Sequence, residues 1–498
     1  MLTLVGVLVG FILIPIIKPL NPSDDVVMWI GLPGELFMRG LYCMVIPVLT
    51  ASVITATASV DPKTNGKMSG YSIVYMVTMV FFGVVVGTVL TISIKPGRIA
   101  IGNDDDDFTA AHYETQDVIA DLLRNLIPDN LVKACIKTVY TDYVFEEIPT
   151  DNQTNMTGNS TYSVELTTTS DGGNSTTSTS SPASQPEFRV ESKSLAYGDG
   201  TNLLGLLVFS AVFGITMCFE RALTLPMYNF MVALRLISIR ILSAYIWLLP
   251  IGTASLICKS MLKVDNIIAV WKSLGLFSAD VIVGLGIHGL ITLPLTYFIV
   301  TRKNPYLYML RSLRAIVMAS ITKTNTANMP EIFQCCIVNN KVNKKVVNYV
   351  VSMMVAMKSD GSAVFIISGS LYLAQTSGMA LNAGHIITMA IVAWVMGLCL
   401  PAVPSASLVS IVTVCSSVGV PTDNIGLLVS MEWLLDALRT SVNCISHCQA
   451  AGLVESLLGD DVTNEPIKNE EDVTNKNKTI KNGANDQTHS NEELSTFI

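Results

Sequence analysis

Four side chains near the C-terminal end of the chain have the types and the spacing to hold a small zwitterion. Asp436, Arg439, Thr440 and Asn443 fall at i, i+3, i+4 and i+7, so on a helix an acid, a base, a hydroxyl and an amide share one face. The carboxylate of Asp436 can take an ammonium, and the guanidinium of Arg439 can grip a carboxylate through two parallel N–H bonds. That pattern suits a zwitterionic ligand with an acidic side chain. The plainer alternative is an Asp–Arg pair that neutralises itself within the protein. Asp360 is a third charge inside an apolar run. Cys444, His447 and Cys448 share one turn and could ligate a soft metal, but no fourth ligand is evident. His288 and His385 stand alone in apolar surroundings and read as packed helix residues. No nucleophile–His–acid set recommends an enzyme.

The elements that must position these residues are apolar helices. Half of the 498 residues are apolar and 14% are charged, with a mean hydropathy of +0.50, which fits a lipid-embedded chain. A bilayer core of about 30 Å needs roughly 20 mostly apolar helical residues. The stretches 27–60, 70–95, 202–219, 229–262, 268–301, 344–374, 385–418 and 424–456 reach or approach that length, and residues 1–17 read as a short first membrane helix rather than a removed signal peptide. A charge facing lipid costs on the order of 3 kcal/mol or more, so Asp360, Asp436 and Arg439 should face a cavity and pair. The ten cysteines lie mainly in apolar segments, without the spacing of a disulfide framework. The net charge of −8 indicates no nucleic-acid partner.

Two segments break the apolar pattern. Residues 145–196 are rich in Ser, Thr, Asn and Gly and carry four N-x-[ST] sequons, at Asn152, Asn155, Asn159 and Asn174. This reads as a flexible, glycosylated extracellular loop. Lys63, Lys67, Arg302 and Lys303 sit at helix-connecting turns; if those turns are cytoplasmic, the positive-inside rule agrees with a sequon loop outside. The polar tail 459–498 reads as a disordered cytoplasmic segment. Between 315 and 342 and between 385 and 418, apolar helix is interrupted by small and polar residues or by Pro401 and Pro404. Interrupted segments in corresponding places of two repeats mark a transporter's binding site, and irregular backbone at membrane depth must line a protein-enclosed cavity.

At these residues the chain resembles the excitatory amino-acid (glutamate) transporter family of sodium-dependent dicarboxylate carriers. Gly34-Glu35-Leu36 with Met38-Arg39, Trp247-Leu248-Leu249-Pro250-Ile251-Gly252, and Tyr297-Phe298-Ile299-Val300-Thr301-Arg302-Lys303-Asn304-Pro305 carry the likeness. So do Val420-Pro421-Thr422-Asp423, Trp433-Leu434-Leu435-Asp436 and Leu438-Arg439-Thr440. The resemblance implies an all-α membrane protein of eight transmembrane helices and two re-entrant hairpins (about 309–342 and 385–418), built from inverted repeats and working as an elevator within a homotrimer. The segments expected on that basis are scaffold helices (1–66), helix three and the following extracellular segment (67–144), the glycosylated loop (145–196), scaffold helices four and five (197–265), the transport-domain core (266–458) and the tail (459–498). It implies a carrier of L-glutamate or L-aspartate in the plasma membrane, in contact with lipid, with sodium as the co-transported ion and no cofactor. Asp436 would take the substrate ammonium and Arg439 its side-chain carboxylate. Thr440, Asn443, Thr324 and Asn325 would complete the site, with Asn325 meeting the α-carboxylate. Arg439 argues for an acidic substrate, since the neutral branch lacks it.

The departures from the family's pattern cluster on the coupling machinery. The Asn-Met-Asp-Gly-Thr expected in helix seven reads Lys358-Ser359-Asp360-Gly361-Ser362, and a late aspartate of helix eight is His447. The expected Tyr and Thr ligands of helix three align with Met76, Met79 and Val80, and a glutamate linked to proton coupling aligns with Ile366. The altered cation site therefore comprises Lys358, Asp360, Asn443, His447, Met76 and Met79, with Asp360 the retained acid for a metal ion. Lys323 matches a basic tip residue of the archaeal carriers. The expected glycine-rich gate reads Cys399-Leu400-Pro401-Ala402-Val403-Pro404, stiffened by two prolines. The alternative function is a transport-deficient or sodium-independent relative that acts as a substrate-gated anion channel or receptor.

Overall fold

The computed structural model describes residues 2–59, 62–101, 115–147, 188–262, 267–357, 359–379, 381–400, 406–422 and 424–459. In chain order the first helices are α1 (Leu2–Ile17), α2 (Asp24–Ser59), α3 (Pro62–Ile94), α4 (Arg98–Ile101), α5 (Thr115–Leu126) and α6 (Leu131–Ala134). After a strand pair come α7 (Leu203–Phe219), α8 (Arg221–Ile246), α9 (Leu249–Leu262), α10 (Ile267–Ile287) and α11 (Leu293–Thr301). The rest are α12 (Pro305–Arg311), α13 (Leu313–Thr322), α14 (Met329–Gln334), α15 (Lys344–Met357), α16 (Asp360–Thr376), α17 (Ala383–Cys399), α18 (Ala406–Ser417) and α19 (Ile425–Leu458). Among the described residues, five helical stretches are long and apolar enough to cross a membrane: Asp24–Thr55, Gly66–Ile94, Arg221–Tyr245, Ile268–Thr301 and Lys344–Thr376. Shorter apolar helices include α7, α9, α13 and parts of α17 and α18.

Helix ends follow local chemistry. Asn304 accepts hydrogen bonds from the N–H groups of Tyr306 and Leu307, with Pro305 in the first turn, so α12 starts where a proline costs nothing. Asn382 caps α17 by accepting from His385 N at 2.8 Å. The apolar stretch 229–262 is two helices rather than one, because Pro250 in the first turn of α9 has no N–H to continue α8. The stretch 344–374 is likewise broken. Ser359 is non-helical, and its N–H is satisfied by the carbonyl of Gly397 on α17 at 3.0 Å.

The helices pack as two sets. α2 lies against α7, α8 and α9, and α1 lies against α9. In the second set α16 is central, sheathed by α3, α10, α17, α18 and α19, and every residue from Asp360 to Ala374 is buried. α12 and α13 fold back along α14 and the π-helical turn Cys335–Asn339. Arg314 Nε pairs with Glu331 at 2.9 Å, and Asn328 Nδ2 donates to Ala315 O at 2.7 Å, which sets the two arms antiparallel.

One part of the fold is not helical. β1 (Lys137–Glu147) and β2 (Phe188–Asp199) form an antiparallel pair, with Tyr140 opposite Ala196 and a register shift between Val144 and Phe145. The ends of the expected loop at 145–147 and 188–196 are therefore strand, a small addition to an otherwise helical fold. The β-branched and aromatic residues of Lys137–Glu147 favour a pleated strand. The hairpin's edge is covered by α5: Thr141 N donates to Asp121 Oδ2 at 2.6 Å, and Asn125 exchanges hydrogen bonds with the backbone of Val139. The four sequons and the tail beyond Gly459 lie outside the described residues.

Candidate functional site

α19 runs through the second helix set with one charged face buried. Glu432 is 1% exposed, Asp436 5%, Arg439 2%, Thr440 6% and Asn443 5%. The Arg439 guanidinium donates through Nη1 to Glu432 Oε2 at 3.1 Å and through Nη2 to Glu432 Oε1. Nη2 also donates to Asp436 Oδ1 at 2.7 Å. Its carbon lies 4.5 Å from the centre of the Phe365 ring on α16, a cation–π arrangement. One cation thus serves two carboxylates and an aromatic face, away from water. Such a cluster persists only because its charges are mutually paired.

Asp436 and Arg439 are brought together as their spacing predicts. Glu432 was missed by the sequence reading, although the signal was present: it stands at i−4 from Asp436 and i−7 from Arg439, on the same helix face. Thr440 Oγ1 donates to the carbonyl of Asp436 at 2.7 Å. Asn443 accepts from Gly361 N at 2.8 Å and reaches Ser362 Oγ with its amide nitrogen at 3.4 Å, so it caps the first turn of α16 from a neighbouring helix. Gly361 is required there, because a Cβ would stand 2.7 Å from the carbonyl of Arg439.

The tip between α13 and α14 touches the same region. Lys323, in the left-handed conformation at the end of α13, donates from Nζ to the carbonyl of Trp433 at 2.6 Å. Its charge is within reach of Glu432. Thr324 presents its carbonyl to the Thr322 hydroxyl at 3.2 Å. Asn325 is 5% exposed, and its side-chain oxygen has no hydrogen-bond partner, an acceptor buried at the tip.

At the expected cation site, Lys358, Pro401 and Pro404 lie outside the described residues, as does the side chain of Cys399, which ends α17. Asp360 is fully buried, and its Oδ2 lies 3.1 Å from His288 Nε2, also fully buried. His288 is therefore not the lone packed residue expected. It opens the π-helical turn His288–Thr292, an irregularity common at functional positions. Met76, Met79 and Val80 are buried. Met79 Sδ accepts from Thr296 at 3.6 Å, and Val80 packs where Gly397 leaves room. Ile366 is fully buried and His447 is 1% exposed. Of these described side chains only Asp360 and Asn443 carry oxygen, and one lone pair of the Asn443 oxygen accepts from Gly361 N. This set fits a hard cation poorly, since such ions are held by oxygen cages. Cys444 Sγ accepts from Asn328, and the backbone carbonyl of Cys448 accepts from Tyr308 at 2.8 Å. Among the described residues no three His, Cys, Asp or Glu side chains form a metal set.

A cavity of about 400 Å³ opens elsewhere, between α5, the strand pair, α7, α17 and α18, lined by Asp117, Asn202, His385, Thr388 and Ser416 among others. The charged cluster on α19 does not contribute to it.

Apolar helices of membrane-spanning length, helical stretches broken at α13–α14 and α17–α18, and a buried charged cluster met by the α13–α14 tip define the class as a multi-pass membrane transporter. The model of the Sodium:dicarboxylate symporter family matches residues 2–457. The chain belongs to that family. It is 32% identical to human excitatory amino acid transporter 2, with 92% of this chain and 78% of the relative aligned. It is also 32% identical to human excitatory amino acid transporter 3 over 90% of this chain and 83% of the relative. A putative sodium-dependent excitatory amino acid transporter of Caenorhabditis elegans, glt-3, is 32% identical over 92% of this chain and 81% of its own length. The family is one of transporters, not enzymes.

Proposed function

We propose that the chain is a secondary active transporter of L-glutamate and L-aspartate in the plasma membrane, with Asp436 taking the substrate ammonium and Arg439 the side-chain carboxylate. The observation that carries this reading is the Arg439 guanidinium, buried on α19 and gripped on two prongs by a carboxylate. Its geometry suits the side chain of an acidic amino acid. The names of the relatives support the same substrate class. Substrate entry then requires exchange of one carboxylate for another on Arg439, with Glu432 released as the ligand binds. Thr324 and Asn325 at the first tip and Thr440 and Asn443 on α19 complete the site. The gate is Cys399, Pro401 and Pro404. α3 and α10 to α19 form the moving transport domain of an elevator, α1, α2 and α7 to α9 form its scaffold, and the protein works as a homotrimer.

The second reading is a sodium-independent carrier or substrate-gated anion channel, favoured by the apolar Met76, Met79 and Val80 at the expected cation site. Uptake of labelled aspartate and glutamate by proteoliposomes, in sodium and in sodium-free medium, tests both. Uptake lost in Arg439→Cys supports the carrier. Substrate-gated current without uptake supports the channel.

A further inference from the structure

Asp280 lies on α10, inside the membrane-spanning stretch Ile268–Thr301, and is 1% exposed. Its Oδ2 accepts from the Thr91 hydroxyl of α3 at 2.6 Å. Its other oxygen is equally enclosed and has no hydrogen-bond partner. The Thr91 hydroxyl in turn stands 2.9 Å from the Ser368 hydroxyl of α16, and both residues are buried. Three helices therefore meet around a row of acid, hydroxyl and hydroxyl. Gly87, a turn before Thr91, makes the approach of α3 to α16 feasible: a Cβ there would stand 2.7 Å from Ile367 Cγ2 and 3.2 Å from Ser368 Oγ.

Among the described residues no base joins the row. The elements packed against α10 include α3, α4, α16, α19 and the π-helical turn His288–Thr292. On α16, Asp360 faces His288 and the Tyr372 hydroxyl accepts from Ser273. On α19, Glu432, Asp436 and Arg439 satisfy one another, and His447 and Glu455 lie further along. α3 contributes Lys67, Tyr71 and Tyr75, α4 contributes Arg98, and Lys272 of α10 itself is exposed. None of these is a hydrogen-bond or ion-pair partner of Asp280. A bare carboxylate at this depth is costly, and the neutral acid costs much less.

The Thr91 hydroxyl has one proton and cannot donate to Asp280 and Ser368 at once. With Asp280 ionised, Thr91 donates to the carboxylate and Ser368 donates to Thr91. With Asp280 protonated, the acid donates to Thr91 and Thr91 donates to Ser368. Both contacts of the row are matched in either state, while Asp280 Oδ1 is without a partner in both, so the row adapts to the gain or loss of a proton by rotating two hydroxyls, with the helices fixed. We propose that Asp280 is a proton-binding site in the membrane interior, with Thr91 and Ser368 as the reversible row that accommodates both of its protonation states. A metal ion suits the row less well, because its oxygens touch at hydrogen-bond distances instead of standing apart around a centre.

The test is infrared spectroscopy of the full chain reconstituted in lipid, recorded across pH with wild type, Asp280→Asn and Thr91→Val. A carboxylic-acid carbonyl band should be present in wild type at acid pH, fade reversibly as pH rises and be absent from Asp280→Asn. In Thr91→Val the band should persist with its midpoint moved to higher pH by about one unit or more, because the ionised acid has lost its donor. The Thr91→Val arm keeps the test meaningful if Asp280→Asn does not fold. A band unaltered by pH would mean a fixed structural acid and overturn the proposal. So would a band displaced by sodium at constant pH, which would make this a cation site, or a midpoint unmoved in Thr91→Val. None of these readouts depends on whether the protein carries glutamate.

Discussion

Arg439 and Glu432, seven residues apart on α19, meet in a two-pronged ion pair whose side chains are 3% and 1% exposed. The second carboxylate on the same guanidinium belongs to Asp436. Two helical turns bring residues so spaced back to one face, so the helix itself fixes the pairing. Under the proposed function this has a direct consequence. The protein carries a tethered carboxylate where a substrate carboxylate must bind, and substrate affinity measures the difference between the two.

Replacing Glu432 with Gln keeps the shape and removes the competing charge. A hydrogen bond to a charged group is worth about 1.5–3 kcal/mol, so aspartate or glutamate should bind roughly tenfold tighter to Glu432→Gln. Labelled-substrate binding to purified protein measures this, with a thermal melt to show that the variant is folded. Weaker binding would mean that Glu432 holds the substrate site together instead of competing for it.

Arg439→Cys should weaken acidic substrates by about 3 kcal/mol, since their carboxylate would be buried unpaired. Serine and other neutral amino acids should be spared or gain. The single variant also strands Glu432 and Asp436, so its stability will fall. Arg439→Cys combined with Glu432→Gln removes much of that strain and separates loss of folding from loss of recognition. Glutamate affinity unchanged in the double variant would remove Arg439 from the site.

Gly361→Ala tests the contact between α16 and α19. The added methyl would meet the Arg439 carbonyl at 2.7 Å and the Asn443 side-chain oxygen at 3.1 Å. Overpacking of this kind costs typically about 1–3 kcal/mol. The melting temperature should fall and substrate binding should weaken with it, because the same shift displaces Arg439. A variant as stable as wild type would show that the two helices can separate freely.

The face of α19 was legible because Asp436, Arg439, Thr440 and Asn443 keep helical spacing within a run that must be buried. Glu432 obeys the same spacing, and it was missed because it precedes Trp433 in a stretch read for its apolar residues. The pair of His288 with Asp360 and the row of Thr91, Asp280 and Ser368 were not legible at all. Each joins helices that are distant in sequence, and no local periodicity encodes which faces will meet. The strand pair was hidden differently: its two halves flank a polar stretch whose composition dominates the reading. The occupation of Asn443 as a cap for α16 also depends on the close approach at Gly361, which only the packing reveals.

The loop 145–196 is expected to lie outside the cell and to carry N-glycans. Glycosidase treatment of protein expressed in animal cells should lower its apparent mass. Changing Asn152, Asn155, Asn159 and Asn174 together to Gln should abolish that shift and bring the untreated variant to the mass of the treated parent. Equal masses for the untreated parent and the fourfold variant would place the loop inside or leave it unmodified.

Sodium dependence is expected to be weak. By the family resemblance, Lys358 stands where relatives carry an amide and His447 where they carry an acid, so a fixed ammonium replaces a mobile cation and the balancing charge is gone. In the described part of the expected site Met76, Met79 and Val80 are buried, and their side chains offer no oxygen to a hard ion. Lys358 needs an acid within reach, and Asp360, two residues on, is the nearest in sequence. A charge pair at about 4 Å is worth several kcal/mol at an effective dielectric near 20, much of which desolvation takes back. The ammonium is therefore retained only if it is well paired, and a sodium ion would have to enter against its charge. Uptake of labelled aspartate should change little when sodium is replaced by choline. Lys358→Asn combined with His447→Asp should restore dependence on sodium, because the pair returns both an oxygen ligand and a countercharge. Wild-type uptake that collapses in choline medium would refute the built-in cation. A double variant as indifferent to sodium as wild type would show that Met76, Met79 and Val80, rather than Lys358, exclude the ion.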